Sequence, residues 1–228
     1  MAEQPRFPSP VQSGHASTPN PNRFTALWTR RVAREGARAE AVYKGLTALY
    51  GEAHRHYHTL RHIEHCLIEF DQAAALMDDA DAVEMALWFH DVIYQPQAAD
   101  NERRSAEWYR QAAAGSGSAV FQQKVCDLIL ATTHRRPPTQ GDARFIVDID
   151  LSSFGLPWER CERDGRRIRA EFAGLDDARY YPNHLRFLRA LRRRPTLFRT
   201  EFFQRRYESI ARSNLDHIIA ELRARGYR

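Results

Sequence analysis

Histidines crowd into one short stretch of this 228-residue chain. Five of its ten histidines fall between residues 54 and 65, namely His54, His56, His58, His62 and His65. On a helix, His58 and His62 at positions i and i+4 would project from one face and could meet at a common point. This H-x-x-x-H spacing is used by metal sites, although surface helices also tolerate histidine.

A second candidate pair interrupts an apolar segment. The run Leu87-Trp88-Phe89 leads directly into His90-Asp91, after which apolar residues resume. The spacing predicts a buried helix over Ala82–Tyr94 that Pro96 ends. Because burying an unpaired carboxylate is costly, Asp91 needs a partner. A bound cation would serve both residues, and a hydrogen-bonded His–Asp pair between two helices is the alternative.

Two further carboxylates, Asp148 and Asp150, alternate with branched apolar residues in a segment that starts with the β-like fragment Phe145-Ile146-Val147. Acids again stand where core is expected, so each is either a helix cap or a functional group. His134 ends a predicted helix. Taken alone, it would interact with the free carbonyls of that helix end.

Helical periodicity dominates the rest of the sequence and predicts an all-α fold with one domain over residues 23–228. Residues 1–22, rich in proline and small polar residues, are predicted to be a disordered N-terminal tail. The predicted helices are Phe24–Tyr50 (two helices broken near Gly36), Thr59–Met77, Ala82–Tyr94, Asn101–Ala114 with Asp100 as its cap, Val120–His134, Pro157–Phe172, Tyr180–Arg193 and Phe202–Arg225.

Composition excludes several classes of protein. No apolar stretch approaches the roughly 20 residues of a membrane span, so no membrane association is expected. Three separated cysteines without C-x-x-C spacing support neither a disulfide framework nor a thiolate zinc site, and a cytoplasmic location is expected.

The net charge of +5 is unevenly distributed, because eighteen arginines and ten acids follow residue 157. Arginines at helical spacing with acids between them are typical of a solvated surface with ion pairs. The signatures of the common DNA and RNA modules are absent, which argues against a nucleic-acid partner.

The order His62, His90-Asp91, Asp150 resembles the H…HD…D signature of the histidine–aspartate (HD) superfamily of metal-dependent phosphohydrolases. The segments that are similar to a bacterial subgroup of predicted HD phosphohydrolases are Arg55-x-x-His58-x-x-x-His62-Ile63, Asp100-Asn101-Glu102 with Ser105-Ala106, and Val147-Asp148-Ile149-Asp150-Leu151 before Gly155. The resemblance spans roughly Phe24 to Asn214. It implies a single HD-type helical bundle with additional C-terminal helices.

The resemblance also implies that His62, His90, Asp91 and Asp150 converge on one divalent ion. His58 and Asp91 are the candidate catalytic residues, with His58 beside the metal. If the alignment is shifted by one helical turn, His58 and His62 exchange roles. Two imidazoles and two carboxylates suit Mn²⁺, Fe²⁺, Co²⁺, Ni²⁺ or Zn²⁺ rather than Ca²⁺.

The reaction that the resemblance implies is attack of metal-activated water on a small phosphorylated substrate, a nucleotide, phosphomonoester or small phosphodiester. Arg55, expected on the helical face of His58 and His62, is the first candidate for binding phosphate. The other candidates for substrate contact or proton transfer are Asn101, Glu102 and His134. Asp148 is expected to hold His62 or His90 in the required tautomer.

The sequence departs from the pattern of the HD superfamily in two places, and these departures leave alternative functions open. Tyr94 stands where many HD phosphatases have an acid or a lysine, so the general acid is unassigned. Only His134 is available as an extra histidine for a second metal, whereas a dinuclear hydrolase or a di-iron oxygenase of this superfamily would need two. The oxygenase and a non-catalytic nucleotide-binding module are the alternative functions.

Overall fold

The computed structural model describes residues 19–136 and 138–228, apart from the side chain of residue 37. Within these ranges the chain forms ten α-helices and no strand, so the predicted all-α class is confirmed. The helices are α1 (Pro21–Arg31), α2 (Gly36–Tyr50), α3 (Leu60–Ala73), α4 (Ala80–Phe89), α5 (Asn101–Ala113), α6 (Ala119–Ala131), α7 (Ala143–Leu151), α8 (Trp158–Glu171), α9 (Asp177–Arg192) and α10 (Glu201–Ala224). Short 3₁₀ turns, Ala74–Leu76 and Ser152–Gly155, follow α3 and α7.

The N-terminal boundary differs from the prediction. Pro21 and Asn22 already belong to α1, whose cap Asn20 accepts a hydrogen bond from the backbone N–H of Asn22. The predicted tail therefore extends two residues too far, and its residues 1–18 lie outside the described residues. None of the helices that the structure describes combines the length and apolar character of a membrane span.

The central helix is α4, which is buried along Ala82–Phe89 and packs against α1, α3, α6 and α7. One continuous apolar core extends around it from Phe24 in α1 to Leu222 in α10. The C-terminal end of α4 thus delivers the His90-Asp91 pair into the interior of the bundle.

The prediction that this helix continues to Tyr94 is wrong, because α4 ends at Phe89. Beyond it, the carbonyl oxygens of Asp91 and Val92 accept hydrogen bonds from the Arg55 guanidinium. The Ser105 hydroxyl then binds the backbone of Ile93. These long-range bonds satisfy the backbone groups that a longer helix would have paired.

The β-like fragment is also a misprediction, since Phe145–Val147 lies within α7. Neither Asp148 nor Asp150 is a helix cap, because both stand inside that helix. Tertiary packing outweighs the β propensity of the branched residues, since Ile146 and Ile149 are both fully buried. The predicted cap of α5 is only partly right, because Asp100 occupies the cap position without a side-chain capping bond.

A close contact fixes α10 on the 3₁₀ turn that follows α7. A Cβ atom added to Gly155 would lie 2.4 Å from the Cβ of Tyr207. No side chain fits there without movement of α10 or the turn. The amide of Asn214 strengthens this contact by donating to the carbonyl oxygens of Phe154 and Leu156.

We predict that Gly155→Ala lowers the free energy of unfolding by about 1–3 kcal/mol, because it overpacks this contact. Gly165→Ala is the control, since Gly165 lies within α8 and a Cβ there meets no atom within 4 Å. That variant should gain about 0.5–1 kcal/mol from helix propensity. Urea unfolding of both variants measures the difference. A Gly155→Ala protein as stable as the wild type would contradict the packing of α10.

Candidate metal centre

Four side chains from three separate parts of the chain converge at the end of α4. The Nε2 atoms of His62 and His90 lie 3.2 Å apart. Asp91 Oδ2 is 3.1 Å from His90 Nε2, and Asp150 Oδ1 is 3.2 Å from His62 Nε2. The remaining two His–Asp distances, His62 to Asp91 and His90 to Asp150, are both 3.6 Å. The structure therefore brings together the four residues that the sequence singled out.

Helix ends position these side chains. His62 lies in the first turn of α3, which begins after the capping residue Thr59. His90 is the C-cap of α4, and Asp150 lies in the last turn of α7. His90 Nδ1 donates to the carbonyl oxygen of Leu87 at 2.9 Å. That bond orients the ring so that His90 Nε2 faces the cluster.

A cysteine that was not predicted as a ligand belongs to the same group. One donor atom each from His62, Cys66, His90 and Asp150 lie within 4.8 Å of one another, a set that could hold a metal ion. The Cys66 Sγ atom is 3.7 Å from His62 Nε2. Cys66 follows His62 by one helical turn on α3, a spacing that was visible in the sequence. Burial, followed by the charges of Asp150 and Asp91, raises the pKa of the Cys66 thiol well above its usual value.

The carboxylates of the cluster remain ionised. Burial raises the pKa of Asp91, but the adjacent charge on His90 outweighs it, so the pKa lies below its usual value. Hydrogen bonds from His134 and His62 likewise outweigh burial and lower the pKa of Asp150. Burial lowers the pKa of His90, yet these carboxylates raise it well above its ordinary value. A divalent cation would supply the same positive charge and release the proton of His90.

His58 lies beside the cluster but not on the helix that carries His62, because α3 begins only at Leu60. The predicted shared helical face of Arg55, His58 and His62 is therefore wrong. The His58 ring stacks on Tyr94 with centroids 4.1 Å apart, and its Nδ1 is 2.6 Å from Glu171 Oε2. Burial lowers the pKa of His58, but the charges of Asp91 and Glu171 raise it more.

Glu171, at the end of α8, is a second residue that the sequence analysis did not identify. Its Oε1 atom accepts hydrogen bonds from three successive backbone N–H groups, those of His56, Tyr57 and His58, at 2.7 to 2.9 Å. Burial raises the pKa of Glu171, but its bond to His58 and these N–H groups lower it to about 2. Nothing in the sequence separates Glu171 from the other acids of this arginine-rich helix, and it lies 113 residues from His58.

Arg55 does not fit the predicted role in phosphate binding. Its side chain is fully buried and its Nε donates to Glu52 at 3.0 Å. The two terminal nitrogens donate to the carbonyl oxygens of His58, Asp91 and Val92. Every nitrogen of the guanidinium is therefore bonded within the protein, and Arg55 instead ties the loop before α3 to the His90-Asp91 turn.

Asp148 is also not where it was expected to act. Its two oxygens accept from the backbone N–H groups of Arg199 and Thr200 and from the Thr200 hydroxyl, at 2.7 to 2.8 Å. Asp148 and Asp150 are about 200° apart around α7, because each residue turns a helix by about 100°. Asp148 therefore anchors the start of α10 and does not orient the rings of His62 and His90. Asp150, in contrast, reaches the cluster.

The remaining predicted residues have different outcomes. His134 Nε2 lies 2.7 Å from Asp150 Oδ2, so its ring contacts a candidate ligand rather than only free carbonyls of a helix end. The Asn101 side chain accepts a hydrogen bond from the backbone N–H of Gln95 and donates one to its carbonyl oxygen. These bonds hold the loop at Gln95 and occupy the amide atoms that were predicted to contact substrate. Glu102 lies partly exposed in the first turn of α5, and its contact with substrate stays a prediction.

We predict that Glu171→Gln lowers the free energy of unfolding by about 1.5–3 kcal/mol at neutral pH, because charge-assisted hydrogen bonds are lost. Folding lowers the pKa of Glu171 from 4.5 to about 2. Its stabilising contribution is therefore present above about pH 4.5 and is lost as the pH falls toward about 2. The difference between wild type and variant should narrow with acidification, as chemical denaturation at neutral pH and at about pH 4 would measure.

The matched control is Glu162→Gln on the same helix, where Glu162 is 42% exposed and pairs with Arg166. That exposed pair should contribute no more than about 0.5 kcal/mol. Equal losses in both variants, or a difference independent of pH, would contradict the buried role of Glu171.

Comparison of the chain with protein-family models, with curated proteins and with solved structures finds no match. The functional assignment therefore depends on the geometry of these side chains and on the resemblance of their spacing.

Proposed function

We propose that this protein is a metal-dependent phosphohydrolase that cleaves a phosphate ester of a small substrate. The observation that carries the proposal is the convergence of two imidazole nitrogens and two carboxylate oxygens, 3.1 to 3.6 Å apart, in a buried cluster. The H…HD…D spacing supports the same assignment. The alternatives remain a di-iron oxygenase and a non-catalytic nucleotide-binding module.

The donor atoms fit a single transition-metal ion. Two ligands at about 2.1 Å from one ion lie about 3.0–3.4 Å apart in octahedral or tetrahedral geometry, close to the spacing of this cluster. Mixed nitrogen and oxygen donors favour Mn, Fe, Co, Ni or Zn over calcium. His62, His90, Asp91 and Asp150 would hold the ion.

Asp91 suits the fourth position better than Cys66 does. Its Oδ2 atom lies 3.1 Å from His90 Nε2 and 3.6 Å from His62 Nε2. Cys66 Sγ is 3.7 Å from His62 Nε2, a spacing that the longer metal–sulfur bond would also allow. A thiolate ligand would require Cys66 to lose its proton, however, and burial together with Asp150 and Asp91 raises the pKa of this thiol well above its usual value. We therefore assign the fourth position to Asp91 and leave Cys66, which also belongs to the group that could hold a metal, outside the proposed ligand set.

The bound ion would stabilise negative charge on the phosphate oxygens and make water more acidic. The protein's own contribution to proton transfer is His58. Its Nδ1 is held by Glu171 and its ring by Tyr94, while its Nε2 has no hydrogen-bond partner among the described residues. His58 can therefore take up or deliver a proton at Nε2, beside the ligand Asp91. Glu171 is a positioning residue that acts through His58.

We predict that purified wild type contains about one equivalent of a transition metal and that Asp91→Ala contains almost none, because the variant lacks one of the four proposed ligands of the ion. Cys66→Ser is the matched control and should keep its metal. Elemental analysis of protein prepared without chelator or nickel columns measures both. Metal loss in Cys66→Ser alone would exchange the roles of Cys66 and Asp91.

The same measurement separates the alternatives. About two equivalents of iron would favour the oxygenase, because the phosphohydrolase proposed here needs one ion. Absence of metal from the wild type as well as from Asp91→Ala would make the cluster a structural His–Asp network and remove the basis of the proposal. One equivalent with no turnover of any phosphate ester would favour the binding module.

A second prediction concerns the proton-transfer residue. His58→Gln should lower kcat on a chromogenic phosphate monoester or a nucleotide by about 10²–10⁴-fold, the usual contribution of general acid–base catalysis. The metal content should remain that of the wild type, because His58 is not one of the four ligands. If His58→Gln instead loses its metal while His62→Gln keeps it, the roles of the two histidines are exchanged.

A further inference from the structure

The two oxygens of the Asp150 carboxylate face different partners. Oδ1 lies 3.2 Å from His62 Nε2 and 3.6 Å from His90 Nε2, on the side where the proposed ligands converge. Oδ2 lies 2.7 Å from His134 Nε2. Because an ionised carboxylate oxygen only accepts hydrogen bonds, the proton of this pair belongs to His134 Nε2. One oxygen is thus directed to the two imidazoles, while the other is held by a third ring.

His134 reaches Asp150 through an uncommon backbone conformation. It lies three residues beyond the end of α6, and its φ of 54° is in the left-handed region that few residues other than glycine adopt. Conformations of this kind persist only where the surrounding contacts determine them. One such contact is the bond that Arg194 Nη2 donates to the carbonyl oxygen of His134 at 2.9 Å. The same residue therefore meets Asp150 with its ring and Arg194 with its backbone.

Arg194 is itself held by the loop between α9 and α10. Its backbone carbonyl oxygen accepts a hydrogen bond from Arg212 Nη2 at 2.9 Å. Arg212 Nε donates to Glu208 at 2.6 Å, and the Glu208 carboxylate also accepts from two backbone N–H groups of this loop. A continuous set of bonds therefore connects α10, through Arg194 and the backbone of His134, to the cluster.

We propose that His134 is a positioning residue that holds Asp150 in the orientation that presents Oδ1 to the metal ion, and that Arg194 fixes the backbone of His134 for this contact. Metal-binding carboxylates are themselves hydrogen-bonded by neighbouring groups, which orient them and contribute to affinity. His90 is held in the same way, by the carbonyl oxygen of Leu87. The inference rests on the metal centre of the proposed function, and it replaces the substrate contact predicted for His134.

The test is calorimetric titration of Co²⁺ into the full-length, metal-free protein with three substitutions of His134. His134→Gln keeps an N–H donor at a reach similar to that of Nε2 and should bind Co²⁺ nearly as the wild type does. His134→Leu has no donor and should weaken binding by about 10–100-fold. His134→Asn suits the left-handed backbone but is too short to reach Asp150, so it should lose as much affinity as the leucine variant.

The order of these variants separates positioning from a role in the backbone. If His134 serves only the turn after α6, His134→Asn should bind Co²⁺ like the wild type and His134→Gln should not, and that result would overturn the inference. The visible absorption of bound Co²⁺ depends on the arrangement of its ligands. It should change in His134→Leu and be restored in His134→Gln, whereas a loss of stability alone would leave it unchanged.

Arg194→Ala tests the second part of the inference. Its Co²⁺ affinity should fall between those of the wild type and His134→Leu, because the ring of His134 remains while its backbone loses a partner. Arg135→Ala is the matched control and should bind Co²⁺ as the wild type does. Arg135 is the exposed neighbour of His134, and its Nη2 also donates to a carbonyl oxygen, that of Ala99 at 2.8 Å. Equal affinities in the two arginine variants would overturn the role of Arg194.

The same titration distinguishes failure of this inference from failure of the proposed function. If the wild type and His134→Leu bind one Co²⁺ with equal affinity, the inference is overturned while the metal centre stands. If the wild type binds about two equivalents and His134→Leu loses one of them, His134 is a ligand of a second ion and not a positioning residue. Absence of Co²⁺ binding in the wild type would overturn the metal centre and the inference together.

Discussion

Two carboxylates held inside a helical bundle set the constraint on which the rest of the structure depends. Asp91 and Asp150 expose only 15% and 17% of their side chains, and the two histidines between them expose 1% each. Charge buried at this depth is tolerated only where opposite charge and hydrogen bonds reach it. The ends of α3, α4 and α7 meet at this point, so the packing of these three helices and the charge balance of the cluster depend on each other.

This constraint explains why α4 stops where it does. Consecutive residues on a helix project about 100° apart, so His90 and Asp91 could not both face one point if α4 continued through them. The chain leaves the helix at His90 and thereby turns both side chains into the cluster. Arg55 offsets the free-energy cost of ending the helix there, because it binds the carbonyl oxygens of Asp91 and Val92 that the interrupted helix leaves unpaired.

The loop before α3 is held in the same way by charges of opposite sign. Arg55 binds carbonyl oxygens on one side of it, and Glu171 binds three consecutive N–H groups on the other. A loop fixed at both its donors and its acceptors has little freedom to move. His58 lies within this loop, so the position of its ring depends on two buried charged side chains, Arg55 and Glu171, that are far apart in sequence.

The sequence predicted the role of a residue where local pattern reveals it, and failed where the role depends on partners far away in the chain. His90, Asp91 and Asp150 could be identified as polar residues inside apolar segments, because local hydropathy predicts which segments are buried. The same rule failed to distinguish Asp148 from Asp150, since only the partners at residues 199 and 200 decide which acid is an anchor. Glu171 had no local signature, because its partners are backbone groups. Arg55 was misjudged because a buried arginine and a solvated one look alike in sequence.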